Sequence, residues 1–223
     1  MAEPIRVEHI RVAKTARYYV AGSLGRDTRA VWLVCHGYGQ LAGRFIERFT
    51  SIAVGGRVVI APEALHRFYL DPMDRSAAER RVGATWMTRE DRLTDIADYV
   101  EYLDMVCRST HSEIGHAPVL VGLGFSQGTA TIMRWAAATE QKISRLVLWG
   151  AGVPPDLDWD RAEERLRGVP VTLVVGNQDP FAAPERVREQ EELLAAHGMI
   201  CDTSRYEGGH RVEPAVLEKL AAP

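Results

Sequence analysis

The stretch Val119-Leu120-Val121-Gly122-Leu123-Gly124-Phe125-Ser126-Gln127-Gly128-Thr129 sets the reading of the whole chain. Its first half is a short apolar run of the kind that fits a strand covered on both faces, and the residues from Thr129 to Ala138 have helical spacing. Between them lies Gly-x-Ser-x-Gly, a strand-to-helix turn so tight that its serine is held in a strained conformation. A side chain two positions to either side would clash, which is the physical reason for the paired glycines. The turn lifts the Ser126 hydroxyl clear of the sheet edge.

Outward from this turn the chain repeats the same alternation. Val31 to Cys35, Val58 to Ala61, Leu146 to Trp149 and Val171 to Val175 are further short apolar runs, too short for helices and rich in Val and Leu. Phe45 to Val54, Leu93 to Val106 and Glu185 to Ala196 carry helical spacing. In the second of these Ile96, Val100, Leu103 and Val106 make one apolar stripe, read as core packing, and Thr88 and Asp91 suggest a capping box at its start. Ile5 to Val12 and Ala16 to Ala21 alternate like half-buried strands, with Lys14 and Thr15 as the turn of an opening antiparallel hairpin. Strand and helix alternation implies an α/β fold with a mostly parallel central sheet and helices on both faces. No linker divides residues 1–223, so a single domain is expected.

Glu63 to Met87 breaks the alternation. It contains Pro72, several arginines and Phe68-Tyr69-Leu70 without a sustained period, and a connection of that length reads as a functional loop or lid at about 63–87.

Composition narrows the function classes. The chain has 223 residues, 46% of them apolar and 26% charged, with a formal net charge of -3. It can fill a core, and no excess of Lys and Arg exists to condense on nucleic acid. No apolar run approaches the roughly 20 residues needed to span a bilayer, and Met1 to Arg6 lacks the apolar region of a signal peptide, so a cytoplasmic protein is expected. Cys35, Cys107 and Cys201 are an odd number of isolated thiols, which suits a reducing compartment. No HxH, HExxH or Cys/His cluster points to a metal.

A serine hydroxyl needs a base to take its proton and a carboxylate to orient that base. Asp179, in Gly176-Asn177-Gln178-Asp179-Pro180 after a late strand, is the expected acid, and His210, in Tyr206-Glu207-Gly208-Gly209-His210, the expected base. Asp156, Asp158 and Asp160 are rival carboxylates, better suited to a helix start, and Glu207 lies too near His210 in sequence to be the obvious partner. His197 suits a helix end. An oxyanion hole requires two backbone donors. The amide of Gln127 is one, and the loop His36-Gly37-Tyr38-Gly39-Gln40 after an early strand offers the amide of Tyr38 as the other, with His36 holding the loop. Phe68, Tyr69, Leu70, Trp86, Met87 and Phe181 are the expected substrate-binding residues. A loop packing down on the domain accounts for the same side chains, and an exposed apolar lid would equally serve as a homodimer surface. Arg67, Arg89 and Arg92 are candidates for an acidic substrate group, or simply solvated.

Together these motifs resemble the α/β-hydrolase superfamily and, within it, the phospholipase/carboxylesterase family, which includes bacterial carboxylesterases and acyl-protein thioesterases. The resemblance rests on Gly124 to Gly128, His36 to Gly39, Gly176 to Pro180 and Gly208 to His210, in the family order, with Gln40 where members often carry aspartate. It implies hydrolysis of a small-molecule carboxylic ester by an acyl-enzyme on Ser126, with no cofactor and no cap domain. Hydrolysis of lysophospholipids or acyl thioesters by the same triad is the alternative, and a non-catalytic binding protein of the same fold the more distant one.

Overall fold

The structure is a computed structural model and describes residues 4–72, 76 and 78–222. Parts of the sequence reading that fall on residues 1–3, 73–75, 77 and 223 lie outside the described residues. A seven-stranded sheet runs in the order β1 (Tyr18–Ala21), β3 (Arg57–Pro62), β2 (Ala30–Cys35), β6 (Val119–Phe125), β7 (Ile143–Trp149), β8 (Pro170–Gly176) and β9 (Ile200–Tyr206). All neighbours are parallel except β1, which pairs antiparallel with β3 from Tyr18↔Pro62 to Ala21↔Val59.

The period of two along each strand divides the core into two layers. Val31, Leu33 and Cys35 of β2, with Val58 and Ile60 of β3, face a layer shared with α2 (Arg92–Ile114), α3 (Gln127–Ala138), α4 (Trp159–Leu166) and α5 (Pro184–Ala196). Trp32, Val34, Val59 and Ala61 face the opposite layer, which is closed by α1 (Ala42–Ile46), the 3-10 turn Glu47–Ile52 and α6 (Pro214–Ala221). Strands with both faces covered read as continuous apolar runs, as they do here.

The antiparallel hairpin lies elsewhere than the sequence reading puts it. Residues 5–12 form no strand, and Ile5, Val7, Ile10 and Val12 are exposed. This arm is held along α2 by polar contacts instead, His9 to Asp91 at 2.9 Å and Arg11 to Glu101 at 2.8 Å. The hairpin forms within the supposed irregular segment, as β4 (His66–Tyr69) paired with β5 (Val82–Thr85). Small residues at Gly83 and Ala84 hide its alternation. The cap of α2 also differs: Asp91 is the N-cap residue, at φ 47°, and the reach back to the Thr88 amide comes from the Asp95 carboxylate at 3.3 Å. The apolar face is as read, with Leu103 and Val106 buried, Ile96 and Val100 packed at its margin, and Tyr99 and Cys107 adding to it.

No helix among the described residues is long and apolar enough to cross a membrane. The two faces of α2 make a direct check on its packing. Leu103 is fully buried and Leu93 is 70% exposed. Leu103→Ala is expected to cost about 2–5 kcal/mol, measured by urea unfolding, and Leu93→Ala within about 0.5 kcal/mol of zero.

Candidate active site

The strand order fixes where chemistry can occur. The chain passes from β2 outward to β3, then returns across the sheet to β6 on the other side of β2, so the loops leaving the carboxyl ends of β2 and β6 diverge and open a crevice. The register brings the two loops side by side, because Cys35 and Gly124 are Cα partners. Ser126 leaves the β6 end at φ 53° and ψ -119°, its amide bonded to the Trp149 carbonyl of β7 at 2.8 Å.

The elbow's glycines are required by close approach. A Cβ on Gly128 would lie 2.1 Å from the Cys35 carbonyl oxygen, and one on Gly124 would lie 2.2 Å from that of Gly128. The turn therefore packs backbone against backbone, on itself and on β2. Gly37 meets it from the other side, where a Cβ would sit 3.2 Å from Ser126 Cβ.

Asp179 and His210 arrive from the ends of β8 and β9. Asn177 and Gln178 donate to the carbonyls of Tyr206 and Gly208, both at 2.9 Å, so the acid turn and the histidine loop are joined through their backbones. The Asp179 side chain is fully buried. One carboxylate oxygen accepts from the Phe181 amide at 2.9 Å, and the other lies 2.7 Å from His210 Nδ1. A carboxylate only accepts, so this contact puts a proton on Nδ1, and in the neutral ring the lone pair then lies on Nε2. The imidazole ring lies 4.8 Å from that of Phe125, the residue before Ser126, and 4.9 Å from that of Phe181.

The loop after β2 is held from several directions. Gly37 N donates to Gln40 Oε1 at 2.8 Å, Gln40 N to the Gly37 carbonyl at 3.2 Å and Gly39 N to the Ala84 carbonyl at 2.9 Å. Among the described residues the Tyr38 amide, unlike those of Gly37, Gly39 and Gln40, meets no acceptor within the loop or on β5, and the Gln127 amide is the first of α3, where helix geometry supplies none. The glutamine at position 40 thus acts as a strut within the loop. His36, wholly buried, hydrogen-bonds the Gly37 carbonyl through Nδ1 at 2.8 Å and accepts from the Ala64 amide at Nε2. Burial lowers its pKa from the ordinary 6.5, against the smaller opposing pulls of Gly37 and Glu63.

A further network was not legible in the sequence. The Gln127 side chain donates from Nε2 to Thr85 Oγ1 at 2.9 Å and to the Met87 carbonyl at 3.0 Å, and its Oε1 accepts from the Trp86 amide at 3.2 Å. Since β5 also pairs with the loop through Gly39 and Ala84, the hairpin ties the elbow to the loop that faces it. Only the tertiary contact identifies Thr85, because the strand carrying it is four residues long.

The six expected substrate-binding residues separate. Phe181 is 60% exposed and lines a cleft of about 370 Å³ with Val153, Leu173, Val175 and Val187. Leu70 lines a second cleft of about 200 Å³ beside Gly39 and Gln40. Phe68 stacks against Tyr38 at 5.2 Å, Tyr69 lies under the Arg80 guanidinium at 3.9 Å, and Met87 presents its carbonyl to Gln127. Trp86 does not fit the expectation. It is 1% exposed in the core, its indole N–H held by the His36 carbonyl, because it anchors the strand end beneath the loop.

The rival carboxylates have other occupations. Asp156 binds Arg134 at 2.5 Å and Arg92 at 2.6 Å. Burial pushes its carboxyl up, but the two arginines outweigh this and hold it below the ordinary range. Asp158 caps α4 through the Arg161 amide, and Glu207 accepts from Asn177. Arg67 pairs with Glu63, and His197, at the end of α5, stacks on Trp159. No group of three or more His, Cys, Asp or Glu among the described residues is arranged to hold a metal ion.

Two measurements follow from this geometry. Gly128→Ala forces a methyl group into the Cys35 carbonyl and is expected to lower stability by about 1–3 kcal/mol in urea unfolding, with retention of wild-type stability counting against the close contact. His36, followed by NMR, is expected to be mostly neutral at pH 6.5, where an ordinary histidine is half charged. Because its folded pKa is depressed, the unfolded chain binds more protons below pH 6.5, so its contribution to stability is full above that pH and declines as pH falls toward the folded value.

Comparison with known proteins places the chain among solved structures of the same fold. Solved structures of the same fold include the Bacillus cereus carboxylesterase, 19% identical over 92% of each chain with a TM-score of 0.63. The Zea mays acyl-protein thioesterase 2 is 17% identical over 93% of this chain and 96% of its own, with a TM-score of 0.68. Esterase PE8 is 16% identical over 93% and 97%, also at 0.68. No curated protein matches the sequence. The family model for phospholipase/carboxylesterase matches residues 22–222, nearly the whole chain, and the protein belongs to that family of hydrolases acting on esters.

Proposed function

We propose that the protein is a serine carboxylesterase that hydrolyses small carboxylic esters through an acyl-enzyme on Ser126. The observation that carries this reading is the buried Asp179 carboxylate 2.7 Å from His210 Nδ1, at the sheet edge where Ser126 stands in a strained turn. His210 Nε2 takes the Ser126 proton as Oγ attacks the acyl carbon. Asp179 holds the ring in that tautomer and stabilises the imidazolium that forms. The amides of Tyr38 and Gln127 receive the oxyanion, and His210 returns the proton to the departing alcohol. Water then repeats the sequence on the acyl-enzyme and frees Ser126.

The cleft lined by Phe181 is the proposed acyl site. Its volume lies in the range of small-molecule pockets, and its valines and Leu173 offer an apolar wall beside the acid turn. An acyl thioester fits the same mechanism with a thiol as leaving group.

The test is hydrolysis of p-nitrophenyl esters from acetyl to dodecanoyl. Ser126→Ala is expected to reduce turnover to background with the fold retained, and Asp179→Asn to lower kcat by about 10⁴. A loss under about tenfold in Asp179→Asn would remove it from the mechanism, and equal rates in wild type and Ser126→Ala would remove the acyl-enzyme.

A further inference from the structure

The second cleft, beside Gly39 and Gln40 of the Tyr38 loop, differs in character from the first. It is lined by Gly39, Gln40, Leu41, Phe45, Leu70 and Val82, and by the guanidinium groups of Arg44, Arg48 and Arg81. The three arginines are not equivalent. Arg81 is committed to Asp71, with its Nη2 2.8 Å and its Nε 3.1 Å from Asp71 Oδ1. Arg44 and Arg48 stand one helical turn apart along α1 and the 3-10 turn that continues it, so they share a face. Neither has an ion pair or a side-chain hydrogen bond among the described residues, and no carboxylate side chain lines the cleft.

Other arginines at this edge have a carboxylate partner: Arg92 and Arg134 share Asp156, and Arg17 and Arg67 share Glu63. The Phe181 cleft carries Arg186 and Glu189 together. Arg44 and Arg48 differ in having no carboxylate partner among the described residues, in a cleft that borders the Tyr38 loop at Gly39 and Gln40. Gln40 connects it to the reaction centre, since its Oε1 accepts from Gly37, the residue packed against Ser126 Cβ.

We propose that this cleft is a subsite for an oxyanion group, carboxylate or phosphate, carried by the alcohol portion of the ester. The inference rests on the hydrolase reading above, with the acyl group beside Phe181 and the leaving group on the other side of Ser126. Paired guanidinium forks match the planar or tetrahedral oxygens of such a group, and the apolar floor of Leu41, Phe45, Leu70 and Val82 accommodates a short carbon chain between anion and ester.

The test uses three acetyl esters that differ only at the far end of the alcohol: 4-acetoxybutanoate, 3-acetoxypropyl phosphate and the neutral 4-acetoxybutanamide, with released acetate measured. The wild type is expected to favour the better anion by about tenfold in kcat/KM, mainly through KM, and the preference between carboxylate and phosphate identifies the group. The double variant Arg44→Gln/Arg48→Gln is expected to lose that preference while its rate on the amide stays within about twofold. Added salt is expected to weaken the preference in the wild type alone. Equal rates on all three esters, abolished by Ser126→Ala, would overturn the subsite and leave the hydrolase reading standing. A preference that survives the double variant would overturn it as well. Calorimetric titration with butanoate and propyl phosphate separates the two readings further. Binding by wild type and not by the double variant, without turnover of any ester, would keep the subsite and sink the hydrolase reading. Absence of binding together with absence of turnover would sink both.

Discussion

The contact on which the site depends is backbone against backbone, between Gly128 at the start of α3 and the Cys35 carbonyl at the end of β2. A parallel pair places the carboxyl ends of its strands together, and the Cys35↔Gly124 register puts the loops that follow them within van der Waals reach. The two loops lead to opposite sides of the sheet, so neither fills the crevice between them. Ser126 is raised into that crevice by a turn whose positive φ is held by its surroundings, with Trp149 binding its amide and Gly37 closing one flank. Strain of this kind persists only when the neighbours over-determine it. Here the neighbours are two strands and a loop that have no freedom to give way.

Polar groups are then arranged by a division between wet and dry. Asp179 and His36 are both buried, but to different ends. Asp179 is satisfied by the Phe181 amide on one oxygen and His210 on the other, so the partly exposed imidazole is oriented from its buried side. His36 turns both nitrogens to backbone groups, Gly37 and Ala64, and has none left for chemistry. A histidine whose nitrogens are both spent on the backbone supports a loop, and one with a spare nitrogen at a crevice can exchange a proton.

Most of this was legible because the determining features are local. Gly-x-Ser-x-Gly between a strand and a helix, a glycine-bracketed aspartate after a late strand and a Gly-Gly-His loop each announce themselves within five residues. The parallel sheet follows from apolar runs whose both faces are covered. What escaped depends on partners distant in sequence. Ile5 to Val12 has strand-like alternation, but β1 takes β3 and not the arm as its antiparallel partner, and polar contacts hold the arm along α2 instead. The β4–β5 hairpin was read as an irregular segment because Gly83 and Ala84 are small for a different reason. A Cβ at Gly83 would lie 2.5 Å from the Gly39 carbonyl, so the strand is narrow in order to approach the Tyr38 loop. Trp86 looked like a substrate contact because aromatic residues in irregular segments serve either purpose, and only its burial under His36 decides between them.

That hairpin links the sheet edge to the two clefts. Its β5 strand exchanges hydrogen bonds with the Tyr38 loop through Ala84, and Thr85 at its end, with the residues just after, receives the Gln127 side chain, so both amides proposed for the oxyanion are referenced to one rigid element. The same hairpin supplies Leu70, Arg81 and Val82 to the wall of the basic cleft. A group bound against Arg44 and Arg48 would therefore press on the element that sets the distance between the Tyr38 and Gln127 amides. Binding remote from the reacting bond would then fall as orientation at the bond itself, which is how contact with a non-reacting part of a substrate becomes rate. On the proposed reading, the strand that holds the Tyr38 and Gln127 amides in register also forms the wall against which the leaving group is read.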